Sequence, residues 1–252
     1  QEDIIRFTSE LEEGDAAHIV IEKQVYKQVE WLIETITKIV DEDNLTKPRA
    51  QELGSELFGF SKISIKGPEH LMEMVLTKYG RNTIFGVPVL LNTDKYVIHA
   101  GGLPRSQFDL VIVNHLCDVE VVELKRPDST ILEYDKSRGK FYPSKELSVG
   151  LSQAERYISA VYKDNDEDYM IDGQKIRDFL NAHATDDITV EICRPKAVII
   201  IGSFKTLKKP YAELSAIVQT KVTEAEYNSN AMQAYKEIKA SFRNIEVLTY
   251  SE

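Results

Sequence analysis

Between residues 108 and 127 the apolar positions fall into two short runs, Leu110–Val113 and Val119–Leu124, separated by Asn114, His115, Leu116, Cys117 and Asp118. Runs this short and this rich in β-branched residues predict two strands. Pairing them antiparallel about Leu116 sets Val113 opposite Val119, Val111 opposite Val121 and Asp109 opposite Glu123. Side chains alternate with a period of two, so Asp109, Val111, Val113, Val119, Val121, Glu123 and Lys125 share one sheet face. Two carboxylates and an ammonium then meet at one end of an otherwise oily hairpin.

The same patterning organises the rest of the chain. Apolar positions at helical spacing predict helices over 23–43, 49–60, 68–79, 145–163, 173–183, 211–222 and 223–242, with Gly80 stopping the third. Residues 83–91 and 95–100 are β-rich, and 95–100, 108–113 and 119–125 are expected to form a three-stranded meander. The unbroken apolar run at 195–202 predicts a strand buried on both faces, and 244–250 a closing strand. At the start, 4–7 and 18–21 suggest a small β appendage. Residues 128–145 predict a long functional loop, and 164–168 an acidic one. These elements give an α/β fold with a mixed sheet, divided into an N-terminal segment (1–79), a candidate for oligomerisation or for a junction to an upstream domain, and a main domain (80–252).

At 252 residues, 42% hydrophobic and 29% charged, the composition is that of an ordinary globular protein. No apolar run approaches the roughly 20 residues that span a bilayer. The chain opens without an initiator Met or a signal-peptide pattern and is expected to continue upstream. Cys117 and Cys193 carry no metal or disulfide spacing, which suits a reducing cytoplasm, and they read as small buried hydrophobes. The net charge of −10 argues against a general nucleic-acid binder. It leaves room for a local basic groove, and Arg126, Lys136, Arg138, Lys140 and Lys145 follow the hairpin closely, with Arg105 just before it.

Asp109 and Glu123 offer hard oxygen ligands for Mg²⁺ or Mn²⁺, and the Leu124 backbone carbonyl can add a third. Lys125 can hold a water or offset charge in a transition state. On the helix that follows, Gln153 can orient the same water or a phosphate oxygen, with Tyr157 supporting it. A Glu-x-Lys on a strand is also what a solvated edge looks like. Its opposition to Asp109 and the Gln-x-x-x-Tyr helix favour the site. Glu52 and Glu56, spaced i, i+4, are either a solvated helix face or an acidic contribution to that site. No zinc spacing, nucleophile elbow or Walker A loop occurs.

Asp109 followed by Glu123-Leu124-Lys125 resembles the PD-(D/E)XK nuclease superfamily, although Phe108 stands where that pattern has Pro. More narrowly, ELKRP, the basic stretch, ELSVGLSQAERY, PKAVIIIG and VLTY resemble the Shedu nuclease domain of bacterial anti-phage defence over residues 80–252. The resemblance implies a restriction-endonuclease-like αβββαβ core and a cytoplasmic, homo-oligomeric, metal-dependent DNA endonuclease, dimeric or tetrameric, acting on phage or plasmid DNA. It implies Asp109 and Glu123 as metal ligands, Lys125 and Gln153 as catalytic residues, and an upstream helical acid, Glu56 or Glu52, as a further ligand. The rival reading is a non-catalytic DNA-end-binding or assembly module on the same fold. An RNA substrate is weaker, since no RNA-recognition aromatics are present.

Overall fold

The structure, a computed structural model, describes residues 13–59, 64–83, 89–92, 97–100, 106–107, 109–113, 117–163, 169–171, 174–183 and 189–252. In chain order these form α1 (Glu13–Val40), α2 (Lys47–Phe58), α3 (Pro68–Thr83), β1 (Val89–Asn92), β2 (Val97–Ala100), β3 (Ser106–Gln107), β4 (Leu110–Val113), β5 (Val119–Leu124), β6 (Leu132–Asp135) and β7 (Lys140–Pro143). There follow α4 (Lys145–Tyr162), β8 (Tyr169–Ile171), β9 (Gln174–Lys175), α5 (Ile176–His183), β10 (Lys196–Ile200), a 3₁₀ turn (Tyr211–Glu213), α6 (Ala216–Gln219), α7 (Glu224–Ser241) and β11 (Ile245–Leu248).

The central sheet has the order β1-β4-β5-β10-β11, antiparallel as far as β5 and parallel beyond it. β4 and β5 pair Val113 with Val119 and Val111 with Val121, the register that symmetry about Leu116 requires. Alternation divides the hairpin between two cores. Leu110, Ile112, Val122 and Leu124 pack under Leu32, Leu53, Leu71 and Val75 of α1–α3. Val111, Val113, Val119 and Val121 pack against Tyr157 and Val161 of α4 and Phe179 of α5. A third cluster joins Ala197 and Ile199 of β10 to Ala154 of α4 and Tyr235 of α7. Covering both faces gives a three-layer α/β/α arrangement, which is why β10 carries an unbroken apolar run. Among the described residues no helix is long and apolar enough to cross a membrane.

Several sequence expectations are corrected. Residues 18–21 lie inside α1, since a helix already nucleated over 23–40 extends cheaply through a β-branched run that has no partner strand. α3 continues past Gly80 to Thr83, because one interior glycine costs only about 1 kcal/mol. The strand beside β4 is β1, whereas β2 pairs with β3 and β8 in a separate sheet, β3-β2-β8-β9. Residues 132–143 form a hairpin rather than an open loop. Its turn is closed by Asp135, whose side chain accepts from the Ser137 and Arg138 amides (2.8 and 3.2 Å), and by Gly139 at φ +66°. Tyr134 and Phe141 anchor it on Tyr227, with ring centroids 5.2 and 4.9 Å away. The helix expected at 211–222 is broken, with an extended Leu214 between the 3₁₀ turn and α6. Cys193 is exposed and Cys117 half-buried, so neither is a core residue. The β appendage at 4–7, the loop at 164–168, Arg105 and His115 fall outside the described residues.

Candidate active site

The register of the hairpin brings its three charged positions together where β4 begins and β5 ends. The Leu124 amide donates to Asp109 Oδ2 at 2.7 Å. A strand residue's N–H and C=O leave on the same side, so the Leu124 carbonyl is directed to the same edge as Asp109. Lys125 Nζ donates to Glu123 Oε1 (2.5 Å) and to Gln153 Oε1 of α4 (2.8 Å). The serine cap that starts α4, with Ser144 Oγ accepting from the Leu147 amide (3.2 Å), sets where Gln153 falls. Gly150, one turn earlier, faces the lysine stem, where even a Cβ would stand at an ordinary contact distance, 3.5 Å from Lys125 Cε. The Lys125 backbone is pinned on both sides: its amide donates to the Ile200 carbonyl (2.9 Å), and its carbonyl accepts from the Tyr250 hydroxyl (2.8 Å).

The site is buried and short of positive charge. Glu123 is 3% exposed and the Lys125 side chain 14%. Burial, then the charge of Glu123, pushes the Asp109 carboxyl up to about 7 against the pull of the Leu124 amide and Lys125. Burial raises Glu123 too, although Lys125 opposes it. The Tyr157 hydroxyl, on the buried face of α4, is raised by burial and by both carboxylates, so it stays a neutral donor beside them. Glu123 Oε2 is nevertheless buried with no hydrogen-bond partner. One lysine thus faces a buried carboxylate, Glu123, and a half-buried one, Asp109, and one carboxylate oxygen of Glu123 is orphaned. That donor set fits a hard divalent cation. Among the described residues no group of three His, Cys, Asp or Glu side chains completes a metal site, so a cation here would take Asp109, Glu123 and the Leu124 carbonyl and keep several waters, as Mg²⁺ commonly does.

The helical acids whose charge acts on this site are on α3, not α2. Glu56 accepts from Lys38 (2.8 Å) and lies 3.7 Å from Arg49, with half its side chain exposed. Glu52 pairs with Arg49 at 3.2 Å. The charge that reaches Asp109 comes instead from Glu73 of α3, which is buried. Glu69, one turn before it, acts on Glu123. The sequence reading missed both, yet a signal was present: Glu73 interrupts the inward stripe of Leu71, Met72, Val75 and Leu76, and a charge on an apolar helix face requires a reason.

The basic residues are divided. Arg126 is held by Asp128 (2.8 and 2.7 Å) and by the Leu45 carbonyl (3.1 Å), a tie between the strand end and the α1–α2 connection. Lys136, Arg138 and Lys140 are exposed on the β6–β7 hairpin, with Arg138 3.7 Å from Asp135.

Residues 25–252 match the family model described as Shedu protein SduA, C-terminal. A search of curated proteins gave no match.

Proposed function

The chain belongs to the Shedu family of anti-phage defence proteins, and from that premise we propose that it is a Mg²⁺-dependent endonuclease of phage or plasmid DNA. The order α3-β1-β4-β5-α4-β10 supports a restriction-endonuclease-like αβββαβ core, into which β2 and β3 are inserted. The observation that carries the proposal is the orphaned, buried Glu123 Oε2 beside Asp109 and Lys125. A stable core has no use for a buried carboxylate and a half-buried one beside a single ammonium, because the unpaired charge is costly.

Asp109, Glu123 and the Leu124 carbonyl would hold the cation. Bound there, Mg²⁺ would polarise the phosphate and acidify a water. Lys125, steered by Gln153, offsets charge as it grows on the phosphate oxygens. The Leu124 amide fixes Asp109, and the neutral Tyr157 hydroxyl lies beside the two carboxylates. Tyr250 satisfies the Lys125 carbonyl, so the lysine's backbone does not drift. Lys136, Arg138 and Lys140 supply phosphate contacts on the β6–β7 hairpin.

The test incubates the protein with linear, nicked and supercoiled DNA in Mg²⁺, in Mn²⁺ and in chelator, beside a calorimetric metal titration. Metal-dependent cleavage that Glu123→Gln removes is expected. DNA bound without cleavage, and without any response to metal, would overturn the reading. Replacing Lys136, Arg138 and Lys140 together by alanine should weaken binding and flatten its salt dependence by up to about three phosphate contacts.

A further inference from the structure

The β6–β7 hairpin is an excursion set between the two elements that hold the candidate site. It leaves after Lys125 and returns before the helix that carries Gln153. Its base is closed where the Ser144 amide donates to the Ile131 carbonyl (2.9 Å) and the Leu132 amide to the Leu207 carbonyl (2.9 Å). The two strands pair Glu133 with Tyr142, Tyr134 with Phe141 and Asp135 with Lys140, and alternation gives the ribbon two faces. Tyr134 and Phe141 lie on the inner face, against Tyr227, so the ribbon as a whole is not free to enter a groove. What projects is the turn Lys136-Ser137-Arg138-Gly139, exposed throughout. The turn is closed on itself. The Gly139 amide donates to the Asp135 carbonyl (2.8 Å), and Asp135 Oδ1 accepts from the Ser137 hydroxyl (2.6 Å) as well as from the turn's amides. Arg138 is held loosely: its side chain is 82% exposed, and its Nε stands 3.7 Å from Asp135, beyond hydrogen-bond reach. Lys136 and Lys140, both exposed, stand two residues to either side of it.

We infer, resting on the reading of the chain as a nuclease of DNA, that this turn enters the minor groove of the duplex. The Arg138 guanidinium lies inside the groove, facing the phosphates of both strands, and Lys136 and Lys140 meet the phosphates that flank it. A whole two-stranded ribbon fits the major groove, about 12 Å wide, whereas a four-residue turn suits the minor groove, about 6 Å wide. Arginine suits that place better than lysine, because a planar guanidinium is more weakly hydrated than an ammonium and loses less on leaving water. Over an A·T run the minor groove narrows and its negative potential deepens, so a cation inserted there gains most. A turn already closed by Asp135 avoids the ordering cost that a free loop would carry on binding. The hairpin thereby gives the enzyme a preference for A·T runs that is set away from the carboxylates of the site.

The test uses the whole chain carrying Glu123→Gln, to silence cleavage, and measures fluorescence anisotropy on two labelled duplexes of equal length, one with a central A·T run and one G·C throughout. Binding to the A·T duplex should be tighter by about fivefold or more, and netropsin, which occupies the minor groove, should displace the protein. Arg138→Ala should remove the preference. Arg138→Lys should keep the salt dependence of binding and lose most of the preference. Lys136→Ala combined with Lys140→Ala should weaken binding to both duplexes alike and leave their ratio unchanged. Equal affinity of the parent protein for the two duplexes, an Arg138→Ala loss shared equally between them, or no binding to either would overturn the inference. Cleavage by the wild-type chain is read separately. A preference carried by Arg138 in a chain that does not cut DNA sinks the nuclease reading alone, and cutting without that preference sinks this inference alone.

Discussion

Glu52 and Glu56 on α2 and Asp109 and Glu123 at the hairpin end are two acidic pairs visible in the same sequence, and the fold treats them oppositely. Glu56 sits in solvent with Lys38 bonded to it and Arg49 nearby, and these cations hold its carboxyl below its ordinary range. Asp109 and Glu123 lie in a site where burial outweighs one lysine, and both carboxyls are raised. The first pair is the ordinary furniture of a helix surface, worth little to stability. The second carries charge that its own surroundings do not neutralise, and that excess is what the proposed cation would offset. Burial and the number of cationic partners, not the presence of two carboxylates, separate the cases.

The comparison breaks most readily at activity. Glu123→Gln should lower metal-dependent cleavage by roughly 10²–10³-fold or more while raising the thermal midpoint, because Lys125 keeps an acceptor and a buried charge is gone. Glu56→Gln should leave cleavage within about twofold. Equal losses in the two variants would erase the distinction.

A smaller effect is expected in stability. Lys125→Ala strands a buried Glu123 and should cost about 3 kcal/mol in urea unfolding. Adding Glu123→Gln should recover most of that loss, and a double-mutant cycle that proves additive would show the two residues to be uncoupled.

Acidity sharpens the contrast further. A carboxyl raised in the folded state stabilises it most below the unfolded value near 4, and that contribution is lost as pH rises through the folded value, about 7 for Asp109. Removing the charge by Asp109→Asn should therefore gain most stability above pH 7 and little near pH 5, as melts across that range would show. Glu56 has the opposite sign: its contribution is present above the unfolded value and is lost as pH falls through the lowered folded one. Metal affinity at the site should weaken as pH falls through the Asp109 value, because protons compete for the ligands. The smallest effect belongs to Glu73→Gln. It removes one negative neighbour of Asp109 and should shift the pH at which metal binding is half-lost downward, which a titration of metal affinity against pH would read.

Much of this was legible in residue patterns. The hairpin register followed from the period-two alternation and the symmetry about Leu116, and it carried Asp109, Glu123 and Lys125 with it. The helical stripe of 145–163 delivered Gln153 and Tyr157. What patterns missed were choices among partners. Residues 95–100 read as well for the central sheet as 89–92 do, and Glu56 read as well for the site as Glu73. The alternation at 132–135 and 140–143 was visible but short. It became a hairpin because Tyr227, about 90 residues on, offered its rings a surface.

The sequence by itself determined the local periods, and so which side chains share a face of β4, β5 and α4, because alternation and helical spacing are set by the backbone of neighbouring residues. Only the tertiary structure decided that β1 flanks β4, that the charge of an α3 acid rather than an α2 acid acts on Asp109, and that the segment entering β10 is tied to Asp118 at the start of β5. Those outcomes depend on burying apolar area between segments far apart in the chain, and that free energy is shared by the whole core rather than written in any one stretch.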